Sequence, residues 1–448
     1  MTQLITNKPM ATFSFVLLLI ISIVASFYPA TFPAPAEGVT FDSGNIAWLL
    51  VASSMVLLMT PGLSFFYGGM VSPKNIISTM LQSFIALGII SVIWYVVGFS
   101  LAFGDSIGGF VGNPMTHFMF NGVGTAPAAN PGINQGIPFV LFAAFQLKFA
   151  IITPALITGS FAERVRFWSY IVFIVLWSLL IYAPLAHWAW HPEGWLFKLG
   201  VLDFAGGTVV HISAGIAALV GAMVLGRRKT HIEGQAHAVL YTPYVILGTG
   251  LLWFGWFGFN GGSALAANGQ AVTAFVNTNL ASASAAIIWI LVDTMRGRKP
   301  SALGACIGAV VGLVAITPAC GYINYGPSLL IGAVAATVSN YAVVRKSRTS
   351  LDDTLDVFPC HGIGGIVGML MTALFATEAF GGVFATGSPK LLINHLIALV
   401  AVVAFTGVGS WLVYKITNLI TPLRVSEDQE EEGLDISQHE ETVIELAM

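Results

Sequence analysis

The sequence predicts an all-α polytopic membrane protein, and three observations support this fold class. Of the 448 residues, 56% are hydrophobic and only 9% are charged, whereas soluble domains have about 25% charged residues. Apolar runs of about 20 residues, the length needed to cross a bilayer, recur along the whole chain. Lysine and arginine cluster in alternate connections between these runs, as expected for helices that cross a membrane back and forth.

Eleven apolar runs are predicted to be transmembrane helices. Of the 18 lysines and arginines, 14 follow odd-numbered runs. Because positive charge stays on the cytoplasmic side, a multi-pass protein of the cell membrane is expected, with the mature N terminus outside and the C terminus in the cytoplasm. The runs, called spans 1 to 11 below, are 45–69, 76–103, 138–160, 165–185, 203–226, 240–259, 272–294, 302–318, 326–344, 360–377 and 392–416.

The two ends of the chain fall outside these spans. Residues 1–36 contain an apolar run behind one lysine and end on the small-residue sequence APA, a pattern typical of a secretory signal peptide. A retained extra helix is the alternative. The transmembrane domain is then 37–420, and the acidic segment 421–448 is either a disordered solvated tail or a helical regulatory switch.

Two similar segments predict an internal inverted repeat. Span 1 ends with GLSFFYGGM (62–70) and span 6 with GWFGFNGGS (255–263), although the two spans run in opposite directions. Spans 1–5 and 6–10 are therefore predicted to be inverted repeats, with span 11 added. In such folds the binding site lies near the membrane midplane between the repeats.

One histidine lies in the last span of each repeat, His211 in span 5 and His361 in span 10. An ionisable side chain at membrane depth is costly and usually marks a pathway. The pseudo-two-fold relation predicts that the two rings meet. Neutral imidazole has one donor and one acceptor, so a pair can share one proton while both rings stay uncharged. Two hydrogen-bonded core histidines are the alternative.

Several long motifs resemble one known family. DFAGGTVVHISAG (203–215) resembles the signature of the ammonium transporter (Amt/Mep/Rh) family, and the similarity extends over roughly 45–435. The signature and the tail sequence EEGLDISQH are closer to the Amt branch than to the Rh branch. Further motifs similar to that family, in its order, are FYGG, FAERVRF, GWFGFNGGS, AFVNT, TPACGYI and DVFxxHG, in which Pro359 and Cys360 are a variation on the family pattern.

The resemblance implies a homotrimer of eleven-helix subunits, each with its own narrow hydrophobic pore. It implies roles for eight residues. Their chemistry is consistent with these roles, because an aromatic face attracts a cation and a serine hydroxyl accepts a hydrogen bond from an N–H group. Two phenylalanines four residues apart share one helix face. The predicted outer recruitment site and aromatic gate comprise Trp190, Ser263, Phe145, Phe149 and Phe259, with Asp203 nearby as a helix cap or electrostatic support, and the proton relay comprises His211 and His361.

Other classes of function lack support in the sequence. No nucleophile–base pair, phosphate loop or redox motif is found in the sequence, so an enzyme is not expected. The three cysteines form no CxxC pair, and no cofactor, metal or nucleic-acid partner is expected. The HWAWH spacing of His187 and His191 has no acidic partner for a metal. Lys148 departs from the family pattern, because a cation beside a cation-recruiting mouth should repel substrate unless it points to a neighbouring subunit or to the interface.

The predicted function is therefore ammonium transport, with methylammonium as a further candidate substrate, membrane lipid as surroundings, and a PII-type regulatory protein at the cytoplasmic face. Ammonium would lose a proton outside and cross as ammonia, with or without separate proton movement. An ammonium sensor with little flux is the alternative, and a carbon dioxide channel closer to the Rh branch is a more distant one.

Overall fold

A computed structural model describes residues 9–234 and 241–443. It confirms the all-α membrane fold, with a helix at each of the eleven predicted spans. The helices are Ser43–Gly68, Pro73–Phe103, Phe139–Ser160, Phe167–Leu199, Gly207–Leu225, Thr242–Gly262, Gly269–Met295, Ala302–Ile316, Tyr325–Lys346, Phe358–Phe375 and Lys390–Ile420.

Ten helices among the described residues are long and apolar enough to cross a membrane, and Pro9–Phe27 ahead of span 1 is one of them. Two predicted spans lie outside that group. The helix of span 8 has only 15 residues, and Thr242–Gly262 of span 6 contains six glycines, two tryptophans and one asparagine, which lower its hydropathy.

The helices of spans 1 and 6, whose ends are similar in sequence, pack closely against each other. A Cβ atom on Gly255 would lie 2.2 Å from Met59 Cγ, and one on Gly62 would lie 2.9 Å from Leu251 Cβ. Small residues let membrane helices approach closely, so that van der Waals contact replaces the missing hydrophobic driving force. The two glycines that match in sequence therefore both lie in this packing interface.

The N-terminal helix Pro9–Phe27 has no buried residue, but the segment after it is tied to the loop 104–137. The Gly122 N–H donates to the Thr31 carbonyl at 2.8 Å, and the Ala126 N–H donates to the Pro33 carbonyl at 2.9 Å. Asn121 Oδ1 accepts from the Thr31 N–H at 3.0 Å. We call the side of the molecule with this loop the outer side and the opposite one the inner side.

The loop 104–137 contains the molecule's two described strands, Ser106–Ile107 and Val111–Gly112. They pair antiparallel, with Ser106 opposite Gly112. On the inner side, the segment after span 11 forms two short helices, Glu427–Glu432 and Leu434–His439, and the first has a capping box made by Ser426 and Gln429.

Candidate functional site

The two predicted pore histidines meet in the centre of the molecule. The Nδ1 atoms of His211 and His361 are 3.3 Å apart, and the rings are inclined by 28° with centroids 5.5 Å apart. The two residues are 1% and 4% exposed, respectively. At this separation one proton can lie between the two nitrogens.

Glycines four residues after each histidine allow the two helices to cross at this point. A Cβ atom on Gly215 would lie 2.2 Å from the backbone nitrogen of Gly362, and one on Gly365 would lie 3.2 Å from the Cβ of His211. The helices approach so closely that their backbones nearly touch. This crossing brings the histidines of the two repeats together.

Each histidine lies in a short π-helical segment whose start is held by an aspartate. In span 5 the segment is Gly207–Ile212. Asp203 accepts backbone hydrogen bonds from Gly206, Gly207 and Thr208 at 2.9, 2.5 and 2.7 Å, and also binds the Thr208 hydroxyl. These N–H groups have no partner within the helix, so the carboxylate satisfies them and its charge favours the positive end of the helix.

Asp353 has the same position relative to His361, and the sequence analysis missed it. It accepts from the Val357 N–H at 3.2 Å and from the Phe358 N–H at 2.8 Å, at the start of the segment Phe358–Ile363. The signal was present, because Asp353 precedes His361 by eight residues and Asp203 precedes His211 by the same interval.

Two small cavities flank the histidine pair, each of about 10 Å³, which is roughly the space for one water molecule. His361 borders both, whereas His211 borders only the outer one. The other lining residues are almost entirely apolar: Met59, Leu63, Phe66, Tyr67, Met70, Ile152, Leu156, Val210, Leu252, Trp256, Phe259, Ile307, Val310, Leu355 and Cys360. Such a passage suits a small neutral molecule and disfavours an ion.

The outer side of the molecule opens into a vestibule of about 410 Å³ lined by Trp190, Asp203 and Ser263, among others. Trp190 is held by a hydrogen bond of 3.1 Å from its Nε1 to the Asp203 carbonyl. The Ser263 hydroxyl donates to the Phe259 carbonyl at 2.8 Å, so its lone pairs remain as acceptors. The vestibule thus combines an aromatic face, a hydroxyl acceptor and a carboxylate.

Aromatic rings separate this vestibule from the histidines. Phe149 contacts Trp190 edge-on at 5.6 Å and Phe259 at 4.3 Å between centroids. Phe259 in turn lies 6.1 Å from the His211 ring. Phe145 is fully buried and packs against Phe149 at 5.0 Å, but it lines neither the vestibule nor the two small cavities. Phe149 and Phe259 therefore form the constriction.

Lys148 does not face the outer vestibule. Its neighbours Gln146 and Phe149 line that vestibule, whereas Lys148 does not. The side chain is half-buried, and within residues 9–234 and 241–443 it forms no described hydrogen bond or ion pair. Lys148 therefore does not line the vestibule through which a cation would enter.

Trp256 and Thr317 complete the surroundings of the histidines. Both lie in family-like motifs, GWFGFNGGS and TPACGYI, but the sequence analysis assigned neither a role. Trp256 stacks on His211 with centroids 5.4 Å apart. The Thr317 hydroxyl lies 3.3 Å from His211 Nε2 and accepts from Trp256 Nε1 at 3.0 Å. Both residues reach the pair through tertiary contacts that local sequence does not encode.

The inner side opens into a larger vestibule of about 870 Å³ lined by many charged residues. Arg228 forms ion pairs with Glu163 at 2.5 Å and with Asp352 at 2.9 Å, all three being largely buried. Burial alone would raise the pKa of Asp352, but the hydrogen bonds and charge of Arg228, together with the charge of Arg164, hold it well below its ordinary value. Glu163 thus pairs with a residue from another connection rather than with its neighbour.

Asp353 differs from Asp352, its neighbour in the chain. It is fully buried, and burial is the main reason that its pKa is raised to about 6. The negative charge of Asp356 also raises this pKa, whereas the positive charge of Lys346 lowers it. Lys346 forms an ion pair with Asp356 at 2.8 Å and also contacts the Asp353 carbonyl. The inner helix cap therefore lies within a cluster of charges.

His187 and His191 are engaged in the protein's own packing. Their rings stack at 4.3 Å. His187 bonds to the Ala102 carbonyl at 2.9 Å and to the Ser106 hydroxyl at 2.7 Å. Across the described residues, no group of three or more His, Cys, Asp or Glu side chains is placed to hold a metal ion.

The acidic tail packs against the inner face as far as His439, which contacts Ser78 and Phe167. Asp435 accepts from the backbone N–H groups of Ile77 and Ser78 at 3.0 and 2.7 Å, at the start of span 2. Lys74 donates to the Glu430 and Glu431 carbonyls at 3.0 and 2.5 Å. The described part of 421–448 contains two short helices held on the inner face, a regulatory role for the segment stays a prediction, and residues 444–448 lie outside the described residues.

Comparison with known proteins gives consistent matches over nearly the whole chain. A family model described as Ammonium Transporter Family matches residues 47–444. The chain is 44% identical over 434 residues to an ammonium transporter of Aquifex aeolicus (strain VF5), covering 96% of this chain and 98% of that protein. An ammonium transporter of Bacillus subtilis (strain 168) is 43% identical over 412 residues, with 90% and 99% covered.

Solved structures give the same result. Saccharomyces cerevisiae Mep2 superposes with a TM-score of 0.80 at 36% identity, covering 87% of this chain and 88% of that one. A protein described as a sensor Amt protein superposes with a TM-score of 0.81 at 29% identity, covering 88% of this chain and 98% of that one. Both transporters and a sensor are thus similar to this chain.

Proposed function

The chain belongs to the ammonium transporter family, and from this premise we propose that it binds ammonium outside, removes one proton and conducts ammonia past His211 and His361. One observation supports this most strongly. An unbroken series of ring contacts leads from Trp190 through Phe149 and Phe259 to His211 and His361. The series joins a cation-binding vestibule to an apolar passage.

Recruitment takes place at the outer vestibule. A desolvated aromatic face attracts a cation by roughly 0.5–2 kcal/mol, and the hydroxyl of Ser263 supplies an acceptor for an ammonium N–H. The carboxylate of Asp203 lines the same vestibule, and its negative charge favours the cation. It already accepts four hydrogen bonds from the start of span 5, so it acts through its field rather than by direct contact.

Deprotonation follows from the nature of the passage. A charge at the bilayer centre costs several kcal/mol, and the cavities of about 10 Å³ beside the histidines leave no room for a hydration shell. Ammonia, which is comparable to water in size, is uncharged and fits. Potassium has no proton to lose, so the same passage excludes it.

The experiment uses purified full-length protein in liposomes, with an internal pH dye and membrane current recorded together after an ammonium pulse. Ammonia conduction alone raises internal pH without current. Ammonia with a separate proton produces current that scales with ammonium concentration. His211→Ala should alter either signal, whereas His231→Ala, at the edge of the inner vestibule, serves as the matched control. Equal conduction of potassium and ammonium by the unmodified protein would contradict the proposal.

A sensor with little flux is the second candidate, and the similarity to the sensor Amt protein supports it. Expression in a cell that lacks ammonium transport separates the two functions. Growth at low ammonium supports transport, whereas failure to grow despite normal amounts of membrane-inserted protein supports sensing. If the cells fail to grow, the variant Lys148→Met tests whether the lysine at this position, which departs from the family pattern, prevents transport.

We also propose that the protein forms a homotrimer and that a PII-type protein binds its inner face. Exposed apolar side chains of spans 6 and 7, such as Phe254, Val272 and Ile287, are available to a second copy or to lipid. Native mass spectrometry from membranes should give three subunits. Removal of 421–448 should change inhibition by the partner and preserve membrane insertion, and loss of insertion would contradict a purely regulatory tail.

For residues 1–36 we propose that the retained-helix alternative applies. The Thr31 and Pro33 carbonyls accept hydrogen bonds from the outer loop, and a Cβ atom on Gly124 would lie 2.2 Å from the Pro33 carbonyl oxygen. Cleavage after Ala36 would remove these contacts. Intact mass of protein purified from membranes should include the first 36 residues, and a mass lacking them would establish a signal peptide.

A further inference from the structure

One threonine contacts both the histidine pair and Trp256. Thr317 follows the helix of span 8 and is fully buried. Its Oγ1 lies 2.8 Å from the Leu313 carbonyl, 3.0 Å from Trp256 Nε1 and 3.3 Å from His211 Nε2. A hydroxyl has one donor and two acceptor positions, so these three partners occupy all of them.

The chemistry of the partners assigns a direction to each bond. The Leu313 carbonyl can only accept, so it takes the hydroxyl proton. The Trp256 indole N–H can only donate. The remaining position on Thr317 is an acceptor, and His211 Nε2 must therefore be protonated. If the hydroxyl donated to His211 instead, the 2.8 Å hydrogen bond to the Leu313 carbonyl would be replaced by a longer one of 3.3 Å to His211 Nε2.

The direction of this bond fixes the second histidine. A neutral imidazole has one N–H, so Nδ1 of His211 is an acceptor. It lies 3.3 Å from Nδ1 of His361, which must then be the donor. Nε2 of His361 is left as an acceptor, and the His361 ring borders the small cavity on the inner side.

We infer that Thr317 sets the polarity of the histidine pair, with both N–H groups directed toward Thr317 and the free acceptor at Nε2 of His361. Thr317 is a positioning residue, because it lines neither vestibule nor either small cavity. The consequence for transport rests on the proposed function, whereas the polarity itself does not.

The polarity determines which proton movements the pair can perform. A proton from the inner side can bind Nε2 of His361. The Nδ1 proton of His361 then moves to Nδ1 of His211, and the Nε2 proton of His211 passes to a water or ammonia molecule in the outer small cavity, which the His211 ring borders, so that one positive charge moves outward. A proton from the outer side finds Nε2 of His211 already protonated. Inward relay therefore requires the pair to reverse its polarity first.

Solid-state nuclear magnetic resonance of the full chain, labelled with ¹⁵N-histidine in lipid bilayers, tests the polarity directly. Protonated and bare imidazole nitrogens have well-separated ¹⁵N shifts, and difference spectra against His211→Asn and His361→Asn assign the signals. We expect a protonated Nε2 on His211 and a protonated Nδ1 on His361. The opposite pair of tautomers would overturn the inference.

Thr317→Val removes the hydroxyl at nearly constant shape, and Thr317→Ser retains it. The energy of one neutral hydrogen bond corresponds to about a fivefold change in population. We therefore expect comparable populations of the two polarities in Thr317→Val and about a fivefold excess of the assigned one in Thr317→Ser. Trp256→Phe, which removes the other donor, should leave the tautomer populations unchanged. The same excess in Thr317→Val as in the unmodified protein would contradict the role of Thr317.

A liposome assay separates this inference from the proposed function. Charge moved inward per ammonia molecule should rise about threefold in Thr317→Val relative to Thr317→Ser, because loss of the fivefold preference raises the reversed polarity from about one sixth to about one half of the protein. Normal ammonium transport with the opposite tautomers would refute the polarity and leave the function intact. The expected tautomers in a protein that moves no ammonium would support the polarity and refute the function.

Discussion

Asp203 and Asp353 both precede a pore histidine by eight residues and both hold the start of the helix that contains it, but their surroundings differ. Asp203 lines the open outer vestibule and accepts three backbone N–H groups and a hydroxyl. Asp353 accepts two backbone N–H groups and is fully buried near Lys346 and Asp356. The same helix-capping arrangement is thus found in two different electrostatic environments.

The difference shows how an inverted repeat can support a directional process. The outer carboxylate can act on an arriving cation, because it faces the vestibule. The inner carboxylate is fully buried, with its pKa raised to about 6, and it accepts two N–H groups at the start of its helix. The repeat supplies the crossing of the two helices, and the residues around each aspartate give the two ends of the pore different chemistry.

The largest expected difference between the halves comes from removing the carboxylates. Asp203→Ala leaves more hydrogen-bond donors without a partner than Asp353→Ala, and each bond to a charged group contributes about 1.5–3 kcal/mol. We expect Asp203→Ala to reduce the free energy of unfolding by about 3 kcal/mol or more, and Asp353→Ala to have a smaller effect. Thermal unfolding in lipid measures both, with the Asn variants as controls. Equal losses of unfolding free energy in the two Ala variants would contradict the proposed difference between the two aspartates.

The crossing of spans 5 and 10 gives the next effect. Gly215→Ala would place Cβ 2.2 Å from a backbone nitrogen, whereas in Gly365→Ala the nearest atom is a side-chain carbon of Ile212 at 2.9 Å. Overpacking costs about 1–3 kcal/mol, so we expect the greater loss of thermal stability and uptake from Gly215→Ala. Gly250→Ala, which has no atom within 4 Å, is the matched control. A harmless Gly215→Ala would contradict the close crossing.

Recruitment at the outer vestibule gives a smaller effect. Trp190→Ala removes the aromatic face, and a loss of 0.5–2 kcal/mol corresponds to a rise in KM for ammonium of about 2- to 30-fold. Trp190→Phe should retain most of the affinity. Uptake measured against ammonium concentration tests both variants. An unchanged KM in Trp190→Ala would show that the outer end of the pore does not recruit through this ring.

A further effect is a pH dependence specific to the inner half. Burial raises the pKa of Asp353 to about 6, above the value of about 4 for an exposed aspartate. The folded state therefore binds the proton more tightly than the unfolded state does, and this binding stabilises the fold. The stabilisation is complete below pH 4 and is lost as pH rises to 6. Relative to Asp353→Asn, the unmodified protein should lose thermal stability between pH 4 and 6. A difference independent of pH would contradict the raised pKa.

Sequence alone predicted most of the fold because hydrophobic length and alternating positive charge are local signals. It also predicted that His211 and His361 would meet, through the repeat and the family resemblance. Asp353 could have been found from its spacing to His361. Thr317 could not, because its contacts with His211 and Trp256 join residues 106 and 61 positions apart.

Other details depend on packing that no local pattern specifies. Phe145 and Phe149 share one helix face, but only Phe149 reaches the vestibule, because Phe145 packs against Gly262. The partner of Glu163 is Arg228 from another connection, rather than a neighbour in the turn. The docking of Asp435 on the start of span 2 likewise joins residues more than 350 positions apart.

The central claim is that ammonia passes through a dry passage beside two hydrogen-bonded histidines. The most direct test compares ammonium and potassium conduction by the unmodified protein and by the double variant His211→Ala, His361→Ala in planar membranes. The account predicts that the unmodified protein excludes potassium and that the double variant loses selectivity at least about tenfold, a change of about 1.4 kcal/mol. Unchanged selectivity in a correctly inserted double variant would contradict it.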